Sequence, residues 1–137
     1  MAKILIVDDE VSHRAMLRAT LTAEGYETVE ADDGDVAVQT VEGEACDLVL
    51  LDLKMPRVDG IEALRQIKLL NPVLPVLIMT ANASVDTAVE ALKVGAYDYL
   101  TKPLDIDEML LSIERTLEHF ELKAENRTLK EQLQQRV

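Results

Sequence analysis

Five side chains in this sequence have the types needed to handle a phosphoryl group together: Asp8, Asp9, Asp52, Thr80 and Lys102. Each follows a run of apolar residues. Asp8 and Asp9 come after Ile4 to Val7, Asp52 after Leu48 to Leu51, and Thr80 after Val76 to Met79. Thr101, Lys102 and Pro103 come after Tyr97 to Leu100. Three carboxylates drawn together repel one another, so such a cluster needs a cation to be tolerated. Hard oxygen donors in an open site favour Mg2+, octahedral and still carrying waters. The Lys102 ammonium adds a second positive charge, and Thr80 a hydroxyl donor. Metal, ammonium and hydroxyl around one carboxylate make a cradle for three phosphoryl oxygens. Asp52 would then be a nucleophile that forms an acyl phosphate.

Taken singly, none of these residues is specific. Asp8 or Asp9 would serve as the N-cap of a first helix, and a lone Asp after a strand is usually a turn residue. Lys-Pro in a loop is commonplace. The specificity lies in four suitable strand ends, which count only if the fold brings them to one edge.

The elements that must do this are legible. The runs Ile4 to Val7, Leu48 to Leu51 and Val76 to Met79 are continuous and rich in Val, Ile and Leu, which suits strands covered on both faces. Thr28 to Ala31 and Tyr97 to Leu100 are two further strands. Helices lie between them: residues 12 to 24 ending at Gly25, 34 to 42 ending at Gly43, and one marked by Ile61, Leu64 and Ile67 and ended before Pro72. In the next, Val85, Ala88, Val89 and Leu92 have the spacing of a buried stripe, with Ser84 as N-cap and Gly95 as stop. A β-α unit repeated five times predicts an α/β doubly wound parallel sheet with helices on both faces. Ligands bind such sheets beyond the carboxyl ends of the strands.

Composition narrows the function. The chain has 137 residues, one domain's worth, with 48% hydrophobic and 3% aromatic residues, so the core must be aliphatic. The net charge of -12 argues against direct binding to nucleic acid or to an anionic membrane, and fits a divalent cation or a basic protein partner. Cys46 is the sole cysteine and is expected as a small core residue. "MAKILIV" is too short for a signal or a membrane span, so a cytoplasmic location is expected.

The motifs "ILIVDDE", "LVLLDLKMPRVDG", "VLIMTA" and "YLTKP" together resemble the receiver domain of two-component response regulators, over residues 1 to about 120. The resemblance implies a flavodoxin-like sheet of order 2-1-3-4-5. It implies that Asp52 is the phosphoacceptor, served by a sensor histidine kinase or a small acyl phosphate. It further implies that Asp9, Asp52 and the backbone carbonyl of Lys54 ligate Mg2+, while Asp8 holds the metal's waters. Lys102 would contact the phosphoryl oxygens through a cis Lys102-Pro103 peptide. Thr80 and Tyr99 would form the switch, with the small Ala81 leaving room. Lys54 and Asn82 hold positions where relatives vary and the phosphoryl lifetime is tuned. The domain is expected to be regulatory, assisting its own phosphorylation and dephosphorylation without being an enzyme.

Beyond Pro103 the chain changes character. Asp105 and Glu108 open a helix in the manner of a capping box, and no Gly or Pro follows Ile106. Leu110, Ile113, Leu117 and Phe120 are expected to face the sheet. From there the stripe moves to Leu122, Asn126, Leu129 and Leu133, spaced as a coiled-coil seam in which Asn126 fixes register and a two-stranded state. Residues 121 to 137 thus read as a helical linker and homodimer seam. The "LIMTANASVDTAVEALKVGAYDYLTKPLD" stretch is most similar to receivers of nitrogen-regulation-type activators of sigma-54 transcription. In those proteins ATPase and DNA-binding modules follow, and neither is recognisable here: there is no G-x-x-x-x-G-K-[ST] and no basic recognition helix.

Three alternatives share parts of this pattern. A stand-alone receiver would use the same site but signal by docking, as a monomer. A Mg2+-dependent phosphatase would use Asp52 as nucleophile but wants a second acid where Lys54 stands. A flavin binder would need a phosphate-cradling loop in place of Asp8-Asp9-Glu10. His13 and Arg14 read as exposed residues of the first helix.

Overall fold

The computed structural model describes residues 2–53, 60–81 and 85–135, the side chains of 85, 86 and 122–135 excepted. Five strands, β1 (Lys3–Val7), β2 (Glu27–Ala31), β3 (Leu48–Asp52), β4 (Val76–Thr80) and β5 (Asp98–Thr101), alternate with helices. These are α1 (Val11–Ala23), α2 (Gly34–Gly43), α3 (Gly60–Leu70), α4 (Val85–Val94) and α5 (Ile106–Gln135). All strand pairs are parallel, in the order β2-β1-β3-β4-β5. The sheet is therefore the doubly wound one that the alternation of elements predicts. The strand order reverses between β1 and β3, where ligands of such sheets bind.

The continuous apolar runs follow from burial on two faces. Side chains of a strand alternate, so each run must feed two cores. Leu5, Val7, Val49, Leu51 and Ile78 join Ala37 of α2, Ile61, Leu64 and Ile67 of α3, and Ala91 of α4 in one cluster. Ile4, Ile6, Leu48, Leu50, Leu77 and Met79 join Leu17 and Leu21 of α1 and Met109 and Ile113 of α5 in the other. Most of these side chains are fully buried. A buried Leu or Ile contributes roughly 1.5–3 kcal/mol, so the two clusters dominate the stability of the fold. Cys46 is half-buried against the first cluster, where burial pushes its thiol pKa up.

Several expected boundaries and faces shift. Asp52 and Thr80 are the last residues of their strands rather than the first residues beyond them, and β5 begins at Asp98, not Tyr97. The stripe expected on α4 is misplaced by one helical step. Ala88 and Ala91 are buried, whereas Val89 and Leu92 are each 41% exposed. Of two adjacent apolar stripes the smaller one packs inward: Ala91 joins the cluster beneath α3, with Val94 packed against it. The inner face of α5 consists of Met109, Ile113 and Thr116, with Leu110 and Leu117 at its flanks. Thr116 is tolerated there because its hydroxyl donates to the Ser112 carbonyl at 2.7 Å. Phe120 packs edge-on against Tyr97, ring centroids 5.4 Å apart. Asp105 caps α5 by accepting from the Glu108 N–H at 3.1 Å. The expected cap at Ser84, and the side chains of Val85, Leu122, Asn126, Leu129 and Leu133, lie outside what is described. The backbone of α5 is helical through the last four.

Two glycines are dictated by geometry. Gly95 has φ +127°, which ends α4 in a conformation that side chains disfavour. Gly60 sits against the backbone of Leu53: a Cβ added there would lie 2.5 Å from the Leu53 Cα and 2.6 Å from its carbonyl oxygen. The Gly60 N–H also donates to that oxygen at 3.3 Å. The start of α3 thus lies directly against the residue that follows β3. Gly60→Ala should lower stability by about 1–3 kcal/mol, as overpacking against unyielding atoms does. Urea unfolding measures this, and an unchanged midpoint would show that the Leu53 backbone gives way freely.

Candidate functional site

The carboxyl ends of β1, β3, β4 and β5 bring the chemically capable residues together. Asp8 continues the alternation of Ile4 and Ile6, and Asp52 that of Leu48 and Leu50, so both belong to the sheet face covered by α1 and α5. Thr80 has the other parity, that of Val76 and Ile78. The Asp8 N–H extends the β1–β2 ladder to the Ala31 carbonyl at 3.1 Å, and the Lys102 N–H extends that of β4–β5 to the Thr80 carbonyl at 2.8 Å. The ladders that build the sheet therefore also fix the backbone under the site.

One carboxylate oxygen from each of Asp8, Asp9 and Asp52 lies within 4.8 Å of the other two. Asp8 and Asp52 are buried, and Asp9 is exposed. Lys102 reaches across the cleft, its Nζ 2.9 Å from Asp52 Oδ2 and 3.5 Å from Asp8 Oδ2. Burial works against the ammonium, but the hydrogen bond to Asp52 and the charges of Asp52 and Asp8 outweigh it, and the Lys102 pKa is raised. At an effective dielectric near 20, each close carboxylate pair repels by on the order of 3 kcal/mol. Among the described residues, three carboxylates face one ammonium, an excess of two negative charges. All the clustered donors are hard oxygens, so the set fits one divalent cation.

Asp8 is held from several sides. Its Oδ1 accepts from the Glu10 N–H at 2.9 Å, and its Oδ2 is hydrogen-bonded to His13 Nδ1. Its carbonyl accepts from Arg14 at 2.7 Å, while the same guanidinium pairs with Glu30 of β2 at 3.2 Å. The N-cap of α1 is Glu10, not Asp8 or Asp9. Thr80 is buried, and Tyr99 is 41% exposed. The Lys102-Pro103 peptide is cis. Lys54, Pro56 and Asn82 lie outside the described residues.

His13 and Arg14 correct the reading of them as plain surface. Their side chains are only 16% and 17% exposed, and both grip Asp8. Their spacing was the available signal, since residues five and six after Asp8 lie in the opening turns of a helix that starts beside it.

Residues 4–114 match the family described as response regulator receiver domain. The transcriptional regulatory protein ZraR of Klebsiella oxytoca is 52% identical over 119 residues, which cover 87% of this chain and 27% of that protein. The regulatory protein AtoC of Escherichia coli is 44% identical over 131 residues, covering 96% of this chain and 28% of that protein. The crystal structure of NtrX from Brucella abortus superimposes with a TM-score of 0.88 at 41% identity, over 94% of this chain and 30% of that one. The chain therefore spans little more than a quarter of the length of these curated relatives.

The raised Lys102 pKa makes a test of the site's electrostatics. The ammonium's attraction stabilises the fold fully below the ordinary lysine value of about 10.4 and is lost as pH rises through the raised folded value. In EDTA, the stability advantage of wild type over Lys102→Met should hold to about pH 10 and shrink above it. Urea unfolding at stepped pH measures the difference; an advantage that stays constant into stronger alkali contradicts the assignment.

Proposed function

The chain belongs to the response regulator receiver domain family, and on that premise we propose that Asp52 is its phosphoacceptor, loaded by a sensor histidine kinase or a small acyl phosphate. The observation that supports this reading most directly is the Lys102 Nζ 2.9 Å from a buried Asp52 carboxylate that shares its cleft with Asp8 and Asp9. A carboxylate oxygen of Asp52 attacks phosphorus. The bond from phosphorus to the kinase histidine nitrogen, or to the acyl oxygen, breaks, and the departing atom keeps the electron pair. Lys102 exchanges its contact with Asp52 for the phosphoryl oxygens. Burial of Asp52 excludes bulk water, which strengthens that attraction.

In this reading Mg2+ is the divalent cation, held by Asp9, Asp52 and the Lys54 carbonyl, with Asp8 on its waters. When bound it supplies neutralising charge at the phosphoryl oxygens. Thr80 moves toward the new phosphoryl group, and Tyr99, now outward, follows it inward. Together with α4 they form a two-state element that phosphorylation biases. The domain acts as a regulator and not as a turnover enzyme, since Lys54 occupies the place where a phosphatase would carry its second acid.

α5 and the relatives support one reading of the output. Over its 30 residues α5 extends about 45 Å, well past the receiver core. In this reading residues 1–120 are the receiver and 121–137 a linker, with Leu122, Asn126, Leu129 and Leu133 as a homodimer seam. The linker carries the signal to ATPase and DNA-binding modules of a sigma-54 activator in the cytoplasm. Among the described residues no helix is long and apolar enough to cross a membrane.

Intact-mass measurement after exposure to acetyl phosphate and Mg2+ tests the central claim. Wild type should gain one base-labile phosphoryl group, EDTA should abolish the gain, and Asp52→Asn should show none. A gain that persists in Asp52→Asn, or no gain in wild type, would refute the assignment. Thr80→Ala should still accept the phosphoryl group yet lose the change in hydrogen exchange over α4 and β5; an undiminished change would remove Thr80 from the switch.

A further inference from the structure

Asp8 is fully buried, and its Oδ2 has two partners of different kinds. One is the Lys102 ammonium at 3.5 Å, which also binds Asp52. The other is His13 Nδ1 on α1. A carboxylate only accepts hydrogen bonds, so Nδ1 carries the proton and donates it to Oδ2. The two partners differ in permanence. Lys102 is the group that must leave for an incoming phosphoryl oxygen, whereas His13 is anchored on a helix packed through Leu17 and Leu21 into the core.

We propose that His13 is a positioning residue for the divalent-cation site: its Nδ1–H holds the Asp8 carboxylate in place so that Asp8 neither follows Lys102 nor needs to be ordered when the cation arrives. This rests on the reading of the acid cluster as a cation site. The clustered oxygens are those of Asp8, Asp9 and Asp52, so His13 acts through Asp8 and not as a ligand. Arg14 completes the grip from the other end of the residue, holding the Asp8 carbonyl at 2.7 Å and leaning on Glu30. Backbone, carboxylate and helix are thereby locked together. Pre-ordering of a metal-site carboxylate by an outer partner is worth tens-fold in metal affinity in other sites.

The test counts free Mn2+ by its EPR signal as the ion is titrated into the full chain, with Mg2+ as competitor. His13→Leu and His13→Phe both remove the donor, the second keeping a ring, so either variant that folds suffices. His13→Asn keeps an N–H near the position of Nδ1. Wild type should bind one Mn2+ that Mg2+ displaces, and the donor-less variants should bind it about tenfold more weakly. His13→Asn should recover most of that loss. Equal or tighter binding by the donor-less variants would overturn the proposal. So would an Asn variant that melts like wild type yet binds as weakly as the others, because ring shape and not the N–H would then matter. Wild type that binds no Mn2+ would remove the cation site itself, and this inference with it.

Discussion

Mutual repulsion among Asp8, Asp9 and Asp52 is the constraint around which the domain is arranged. Three carboxylate oxygens within 4.8 Å would separate if the chain allowed it. It does not, because β1 and β3 are adjacent parallel strands locked by their ladder and by two apolar clusters. The stability gained by burying Ile4 to Val7 and Leu48 to Leu51 is set against this repulsion, and Lys102 offsets part of it. In the proposed reading, what is left uncompensated is what a divalent cation would neutralise. A less rigid sheet would relieve the repulsion and lose the site.

Around this fixed pair of strands the remaining elements divide the work. β4 and β5 present Thr80 and Lys102 through the bond between the Lys102 N–H and the Thr80 carbonyl, so a shift at one strand end is felt at the other. α1 holds Asp8 from the side through His13 and Arg14. Gly60 lets the start of α3 pack against the Leu53 backbone, next to Asp52. α4 buries Ala88 and Ala91 and packs Val94 against the first cluster, with Val89 and Leu92 exposed. A helix that buries small side chains has few interlocking contacts to break, which would suit the two-state role proposed for α4.

The sequence by itself determined the order of elements, the parallel sheet and the residues at the strand ends. These rest on local chemistry: apolar runs too continuous for a one-sided sheet, glycines at helix ends, and carboxylates where the runs stop. The tertiary structure alone decided which apolar stripe of α4 faces inward. Spacing reveals that a stripe exists, whereas the choice between Ala88 with Ala91 and Val89 with Leu92 depends on what the neighbouring elements leave room for. It also decided that Thr116 belongs inside, because a hydroxyl bonded to its own helix no longer needs water. Above all it decided the roles of His13 and Arg14. As letters in an acidic chain they read as surface; only the crossing of α1 beside the end of β1 places them against Asp8. Periodicity reports on burial along one element, but a contact between a strand end and the helix that follows it is set by the turn between them and by the cores on either side.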